Sequence, residues 1–313
     1  MIRRQTGLAL LVIVATLFTS CSINKLAVRA VSNALATPGG PSVFETDNDP
    51  ELVGDALPFA LKLYDTLLAQ NPEDVNLLRA TGSAYISYAN AFLQTPAEML
   101  PQEEFEQKQH MIQRAKNLYV RGRDMELAAL DVRYPGFQDT LFGNSPESVV
   151  ENTGSEDVAL LYWAAAGWMG AFSTDPMDLD LALSVKRAAL LMNRAYTLNP
   201  EYGDGAIHEF YISYYAGLPE GMGGDKSKAT EHYKAAVRLA GDKKASIYVS
   251  YATAMFIPTQ NVNQFVSVMK RALEIDPDAY PEYRLLNTIK QRQARWYLDH
   301  LDRFFIVSPD QEE

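Results

Sequence analysis

His208 and Glu209 come nearest, in this sequence, to a catalytic metal motif. They begin the pattern His-Glu-x-x-His, in which two histidines one helical turn apart bind zinc and the glutamate acts as a general base. Position 212 is Ile212, so the second ligand is absent and the pattern fails. We therefore interpret the four histidines as satisfied or exposed side chains and expect no metal site. The other three lie in different units of the chain: His110, His232 and His300.

Other patterns that could support catalysis are also incomplete. The glycine-rich stretch at 221–227, GMGGDKS, resembles a phosphate loop, but Asp225 precedes Lys226 and no strand pattern leads into the stretch. We interpret it as the tip of a helical hairpin. The sequence contains no Gly-x-Ser-x-Gly elbow for a nucleophilic serine. An enzyme and a cofactor are not expected, unless a cleft hides a pair of acidic side chains.

The amino terminus predicts export. Arg3 and Arg4 precede an apolar run at 8–18 that is too short to span a membrane, as in secretory signals. The lone cysteine, Cys21, follows Thr-Ser and resembles the lipobox cysteine of bacterial lipoproteins, which receives lipid and becomes the first residue. Phe18 stands where that pattern has Leu, Val or Ile. The alternatives are an ordinary cleaved signal or a buried cysteine.

A short helix is predicted directly after Cys21. In residues 22–36, SINKLAVRAVSNALA, the apolar residues Ile23, Leu26 and Ala30 recur at helical spacing. The stretch TPGGPS at 37–42 ends this pattern and is interpreted as a tether.

Four similar stretches in the body of the chain indicate a repeat. Each places small and apolar residues at helical spacing, and three of the four end at proline, as expected of helices that pack closely and then turn. The stretches are residues 58–72, 186–200, 227–241 and 263–277. Residues 73–85, which follow the first of them, match the tetratricopeptide (TPR) pattern, with small residues at Gly82 and Ala84 and an aromatic residue at Tyr85.

These patterns predict an all-α protein, an α-solenoid of degenerate TPR helix pairs. Residues 281–305 are predicted to form a C-terminal capping helix with one solvated face. Residues 95–102 are expected to bend, and residues 134–157 to form a long loop. The predicted segments are a signal peptide at 1–20, an anchor, short helix and tether at 21–43, a repeat domain at 44–306 and a tail at 307–313.

The charge balance limits the partners. The sequence has 28 Lys and Arg residues against 39 Asp and Glu residues, a formal net charge of −11. Because phosphate binding needs clustered basic residues, nucleic acid is not an expected partner. A polybasic hold on anionic lipid is equally disfavoured, so membrane contact is expected through the N-terminal lipid alone.

Ligand binding is expected on the concave side of the solenoid, which the first helix of each pair forms. One group of candidates lies on the helix that contains Gly82, and the other is aromatic. For each aromatic residue the alternative is core packing between helices, although we expect at least one member to line a cleft. The candidates are Asn76, Arg79, Ser83, Trp163, Tyr211 and Tyr214.

Several less regular stretches resemble the TatT family, lipoproteins of the periplasm that are associated with tripartite ATP-independent periplasmic (TRAP) transporters. These stretches are NKLAVRAVSNALA after Cys21, the acidic-Pro-Glu-Leu opening in DNDPELVGDALPFALKLYDTLLAQNP, RGRDMELAAL at 121–130 and LLYWAAAGW at 160–168. The similarity runs from Cys21 to about Leu286, nearly the whole mature chain.

The resemblance implies a periplasmic lipoprotein, anchored by lipid such as palmitate on Cys21. It implies a homotrimer of degenerate TPR proteins, with an apolar pore through the trimer and a cleft in each protomer. It further implies docking of the transporter's periplasmic substrate-binding protein and the handling of small, hydrophobic organic acids. The alternative function is a TPR scaffold lipoprotein for envelope protein assembly.

Overall fold

The computed structural model describes residues 42–306, and every regular element within them is a helix. The all-α prediction is confirmed. Over the same residues, each helix is too short or too polar to cross a membrane. The predicted signal peptide, Cys21 with the short helix after it, and the tail at 307–313 lie outside the described residues.

The first two helices begin where acidic residues cap them. Helix α1 (Pro50–Gln70) begins after Asp49, whose carboxylate accepts a hydrogen bond from the Leu52 amide. This cap, followed by Pro50 at the first helical position, is a typical helix start. The helix then continues through Pro58 instead of beginning there. Helix α2 (Val75–Tyr88) is capped in the same way by Asp74.

The chain stays helical beyond the predicted bend. A π-helical turn (Ala89–Gln94) leads into the short helix α3 (Thr95–Met99), and only at Leu100 does the backbone become extended. The expectation of a bend at 95–102 was wrong in its first half, because Pro96 lies in the first turn of α3, where its missing N–H costs nothing. Helix α4 (Phe105–Arg133) follows.

The predicted long loop at 134–157 contains two short helices, α5 (Phe137–Phe142) and α6 (Pro146–Val150). Gly136 adopts a left-handed conformation with φ 84° just before α5, which a residue without a Cβ does at little cost. The remaining helices, α7 to α13 in chain order, are Val158–Thr174, Leu179–Leu198, Tyr202–Gly217, Lys226–Ala240, Ala245–Phe256, Val262–Leu273 and Arg284–Asp299.

Successive helices pack as antiparallel neighbours around two apolar cores. One core extends from Leu67 to Leu218, and the other lies in the C-terminal half and includes Phe265 and Tyr297. Helices α2, α7, α9, α11 and α13 contact one another in that order and form the inner layer. The described chain is therefore a solenoid of helix pairs, as predicted.

The last helix does more than cap the array. It contacts α1 and α3 as well as its predecessors. The Leu285 amide donates to the Glu45 carbonyl (3.0 Å), and Arg284 donates to the Thr46 carbonyl (3.0 Å). Arg292 also pairs with Glu51 in the first turn of α1. These contacts close the solenoid on itself, a feature that the capping prediction did not include.

Candidate functional site

The inner side of the closed array carries charged groups that the structure holds away from bulk water. They come from helices far apart in the chain and fall into three neighbouring clusters: one around Glu209, one around Lys290 and one around Glu126. Aromatic residues of α7 lie between the first cluster and the third. We call this set of side chains the inner polar band.

The first cluster surrounds Glu209 of α9. The Ser246 hydroxyl donates to Glu209 Oε2 (3.0 Å), and the Ser250 hydroxyl donates to Oε1 (3.3 Å). Lys244 Nζ lies 3.5 Å from Oε2 and also donates to the Gly203 carbonyl. Lys244 is only 4% exposed. Because both charges are paired and hydrogen-bonded, this buried ion pair is fixed in position.

The second cluster joins the two ends of the solenoid at Lys290 of α13 and Glu98 of α3. Lys290 Nζ donates to Gln293 Oε1 (3.0 Å), and Gln94 Nε2 donates to Glu98 Oε1 (3.0 Å). The Gln293 amide lies 3.5 Å from Glu98 Oε2. Burial raises the pKa of Glu98 and lowers the pKa of Lys290, and the charge of each group opposes the shift of the other.

Lys290 and Glu98 are nevertheless only partly covered at their surfaces. The cluster therefore lies where α3 and α13 meet, with part of each charged side chain left uncovered.

The third cluster contains Glu126 of α4, Arg79 and Ser83 of α2, and Tyr202. Burial raises the pKa of Glu126 well above its usual range, and the charge of Arg79 acts in the opposite direction. Both Glu126 oxygens are buried without a hydrogen-bond partner among residues 42–306. Burial also raises the pKa of Tyr202, against the charge of Arg79 and a hydrogen bond with Trp163.

Tyr162 connects the third cluster to the first. Its ring lies 5.2 Å from the ring of Trp163 and 5.2 Å from that of Tyr202, measured between centroids. Burial raises the pKa of Tyr162, and the negative charge of Glu209 adds to the effect. The aromatic side chains therefore continue the inner polar band from α2 to α9.

The structure brings three of the six predicted ligand residues together. Arg79 and Ser83 lie beside Glu126, and Trp163 reaches them through Tyr202. Asn76 is exposed, one helical turn before Arg79 on the same face of α2. Whether any of them contacts a ligand stays a prediction.

Tyr211 and Tyr214 lie elsewhere, in the apolar core, where they are 6% and 8% exposed. Their rings belong to an aromatic group that includes Tyr215, and this placement matches the core-packing alternative.

Two histidines that we expected to lie apart meet in this aromatic group. Nδ1 of His208 and Nδ1 of His232 are 2.8 Å apart, so one ring donates a hydrogen bond to the other. Burial lowers the pKa of His208 and lowers that of His232 to about 4. Both rings are therefore neutral at pH 7. Within residues 42–306 no group of three or more His, Cys, Asp or Glu residues is arranged to hold a metal ion.

Comparison with known proteins decides the family. The model of the family described as TRAP transporter T-component matches residues 46–305. The chain is a member of that family. An uncharacterized protein of Treponema pallidum (strain Nichols) is 35% identical over 305 residues, which cover 93% of this chain and 94% of that protein.

Membership assigns the chain to an accessory component of a TRAP transporter. For a T-component, the inner polar band is the candidate functional site. The sequence predicted Arg79, Ser83 and Trp163 because each lies on the first helix of a helix pair, which faces the concave side. Glu98 and Lys290 were missed, because only closure of the solenoid brings α3 and α13 together.

Proposed function

We propose that this T-component docks the periplasmic substrate-binding protein of its TRAP transporter and binds or passes small organic acids along the inner polar band. We further propose that the chain is periplasmic, anchored by lipid on Cys21, and trimeric. The observation that carries the proposal is the closure of the solenoid around charged and aromatic side chains, in a member of the T-component family.

The chemistry of the band suits an organic acid. Three cationic side chains, Arg79, Lys244 and Lys290, belong to the band, and their positive charge favours a carboxylate. The rings of Tyr162 and Trp163 offer an apolar surface to the rest of such a molecule. A few placed polar groups beside aromatic walls are typical of small-molecule sites.

Lys290 is the cation that we expect to matter most. Burial lowers its pKa, so its charge is incompletely compensated by the protein. An anionic ligand would supply the missing compensation and would be favoured over a neutral molecule of the same shape. Lys244 is already paired with Glu209 and serves mainly to hold that carboxylate.

The first experiment uses isothermal titration calorimetry with octanoate and benzoate as probes. We expect Lys290→Gln to weaken the binding of either acid by roughly tenfold or more, since a charge-assisted contact is lost. The matched control is Lys270→Gln, which removes an exposed lysine on α12. Equal binding by both variants, or no binding by the parent chain, would contradict the ligand proposal.

The second experiment tests docking by native mass spectrometry of the chain with and without the substrate-binding protein of the same transporter. We expect a complex and a trimeric stoichiometry. A monomer at micromolar concentration, measured by sedimentation, would overturn the trimer.

A scaffold role in envelope protein assembly is the second candidate. The observation that favours it is a group of exposed apolar side chains at the start of α8, with Met177 87%, Leu179 75% and Leu183 78% exposed. Recovery of assembly proteins, and of no substrate-binding protein, from solubilised membranes would favour this function over the first.

A further inference from the structure

Helix α1 has a second apolar face that no described residue covers. Leu52 is 60% exposed, Phe59 77% and Leu63 39%, and Ala56 between them is exposed as well. These positions follow one another at intervals of four, three and four residues, which is the spacing of a coiled-coil seam. We call this set the α1 stripe.

The opposite face of α1 is also apolar. Leu61 and Leu68 are buried against the rest of the array. A helix that is apolar on both sides is normally covered on both sides, because exposed Leu and Phe side chains at this spacing gain free energy when a second helix packs over them. The α1 stripe is therefore suited to packing against another helix that has apolar residues along one face.

The charges around the stripe define that partner further. The approach to α1 and its first two turns are acidic, with carboxylates at Glu45, Asp47, Asp49, Glu51 and Asp55. Helix α1 contains one basic residue, Lys62, and Lys62 forms an ion pair with Asp65. A partner with basic side chains beside its seam is thus favoured over an acidic one.

Residues 22–36 of this chain have both properties. Their sequence places Ile23, Leu26 and Ala30 at helical spacing, and it contains Lys25 and Arg29 with no acidic residue. Fifteen residues of helix are about 22 Å long, enough to cover the roughly 16 Å from position 52 to position 63.

The connection between the two segments is also long enough. Residues 37–44 separate this segment from Glu45. The Glu45 carbonyl accepts a hydrogen bond from the Leu285 amide, just before the start of α1. A linker of this size reaches roughly 30 Å when extended. Segments joined by short connections usually pack beside one another.

We propose that residues 22–36 pack on the α1 stripe and complete the first helix pair of the solenoid from outside. The proposal does not depend on the ligand or on the transporter partner. If Cys21 carries lipid, as proposed above, the packed segment would hold the array next to the membrane. The same residues unpacked would leave a tether of roughly 80 Å between Cys21 and Glu45.

Disulfide trapping tests the proposal. In the chain from residue 21 onward with Cys21→Ser, Ala30→Cys is combined with Ala56→Cys. Both positions are central in their segments, so they meet whichever way the segments run, and both changes are small. We expect mild oxidation to give a disulfide within one chain, seen by mass spectrometry of a monomer. The matched control pairs Ala30→Cys with Leu183→Cys, on the exposed group of α8, and should form no such bond.

Two outcomes would overturn the proposal. A disulfide between two copies through Ala56→Cys would show that a second copy covers the stripe. Absence of any disulfide in the Ala30→Cys/Ala56→Cys chain would show that the segment lies elsewhere.

Thermal unfolding supplies a second measurement in the same Cys21→Ser chain. Phe59→Ser should lower the Tm by roughly 5 °C, because a covered Phe side chain is lost. Leu183→Ser, which changes a side chain of equal exposure, should leave the Tm unchanged. Equal Tm values for the two variants would also count against coverage of the stripe.

Discussion

Arg292 of α13 forms an ion pair with Glu51 in the first turn of α1, although the two residues are 241 positions apart in the sequence. The side chains are 45% and 71% exposed. Exposed ion pairs contribute roughly 0.2–1 kcal/mol each, so this pair adds little to the stability of the contact between α13 and α1. The carbonyls of Glu45 and Thr46, just before α1, also accept hydrogen bonds from α13.

Reversing one charge of this pair should have a small and recoverable effect. We expect Arg292→Glu to lower the free energy of unfolding by about 1 kcal/mol, because two carboxylates then face each other. Exchange of both charges, Glu51→Arg with Arg292→Glu, should recover about half of the loss. Urea unfolding of the four chains gives the coupling energy. A coupling energy near zero would contradict a stabilising contribution from this pair.

Gly122 and Gly82 allow α4 and α2 to approach closely. A Cβ on Gly122 would lie 2.6 Å from the Gly82 carbonyl oxygen, which is backbone and cannot move aside alone. We therefore expect Gly122→Ala to lower the free energy of unfolding by about 2 kcal/mol, measured by urea denaturation. The control is Gly217→Ala at the end of α9, where a Cβ meets nothing within 4 Å. That change should be neutral or slightly stabilising, and an equal loss in both variants would contradict the prediction.

Glu126 should make stability depend on pH in a definite direction. Its pKa is raised by burial, so the folded chain keeps a proton that the unfolded chain loses. The contribution to stability is complete below the unfolded pKa of about 4.3 and declines as the pH rises toward the folded value. Glu126→Gln keeps the shape and cannot ionise, so it should gain stability relative to the parent as the pH rises from 5 to 8.

Chemical unfolding of the parent and of Glu126→Gln across this pH range checks the prediction. Glu147→Gln, at an exposed position in α6, is the control and should follow the parent at every pH. Parallel curves for Glu126→Gln and the parent would show that Glu126 is ionised in the folded chain.

His232 should act in the opposite pH range. Its pKa is lowered by burial to about 4, with His208 and Lys228 adding to the effect. The stability that depends on the neutral ring is complete above the unfolded pKa of about 6.5 and is lost as the pH falls toward 4. The charged groups that face the pair are Lys228, beside His232, and Arg238, beside His208.

We expect His232→Asn to remove about 2 kcal/mol of the stability lost between pH 6.5 and pH 4, a figure reduced to allow for solvent screening. The measurement is the free energy of unfolding at several pH values in that range. His110→Asn changes an exposed histidine and should leave the slope as it is. An unchanged slope for His232→Asn would place the responsible groups elsewhere.

Most of the fold was predictable because the signals for its helices lie within short stretches of sequence. The four repeat stretches at 58–72, 186–200, 227–241 and 263–277 fall on α1, α8, α10 and α12. Caps and periodicity act over a few residues, so a single sequence shows them. The helices α5 and α6 were missed because each is a turn or two long and lies among Gly and Pro.

The candidate site was predictable only in part. Arg79, Ser83 and Trp163 follow from the rule that first helices face inward, which needs no knowledge of the overall shape. The meeting of Glu98 with Lys290 depends on the summed rotation of all helix pairs between α3 and α13. Small differences in the rotation of each pair decide whether such an array closes or stays open. No short sequence pattern shows the total rotation.

The contact between α13 and α1 also bears on how the molecule comes apart. In an open array of repeats the terminal units have one neighbour each, so they fray first and unfolding spreads inward in steps. Here the first and last units are each other's neighbours, and neither can peel away without releasing the other. Hydrogen exchange in α1 and α13 should therefore resemble that of the central helices, as in a hoop that has no ends.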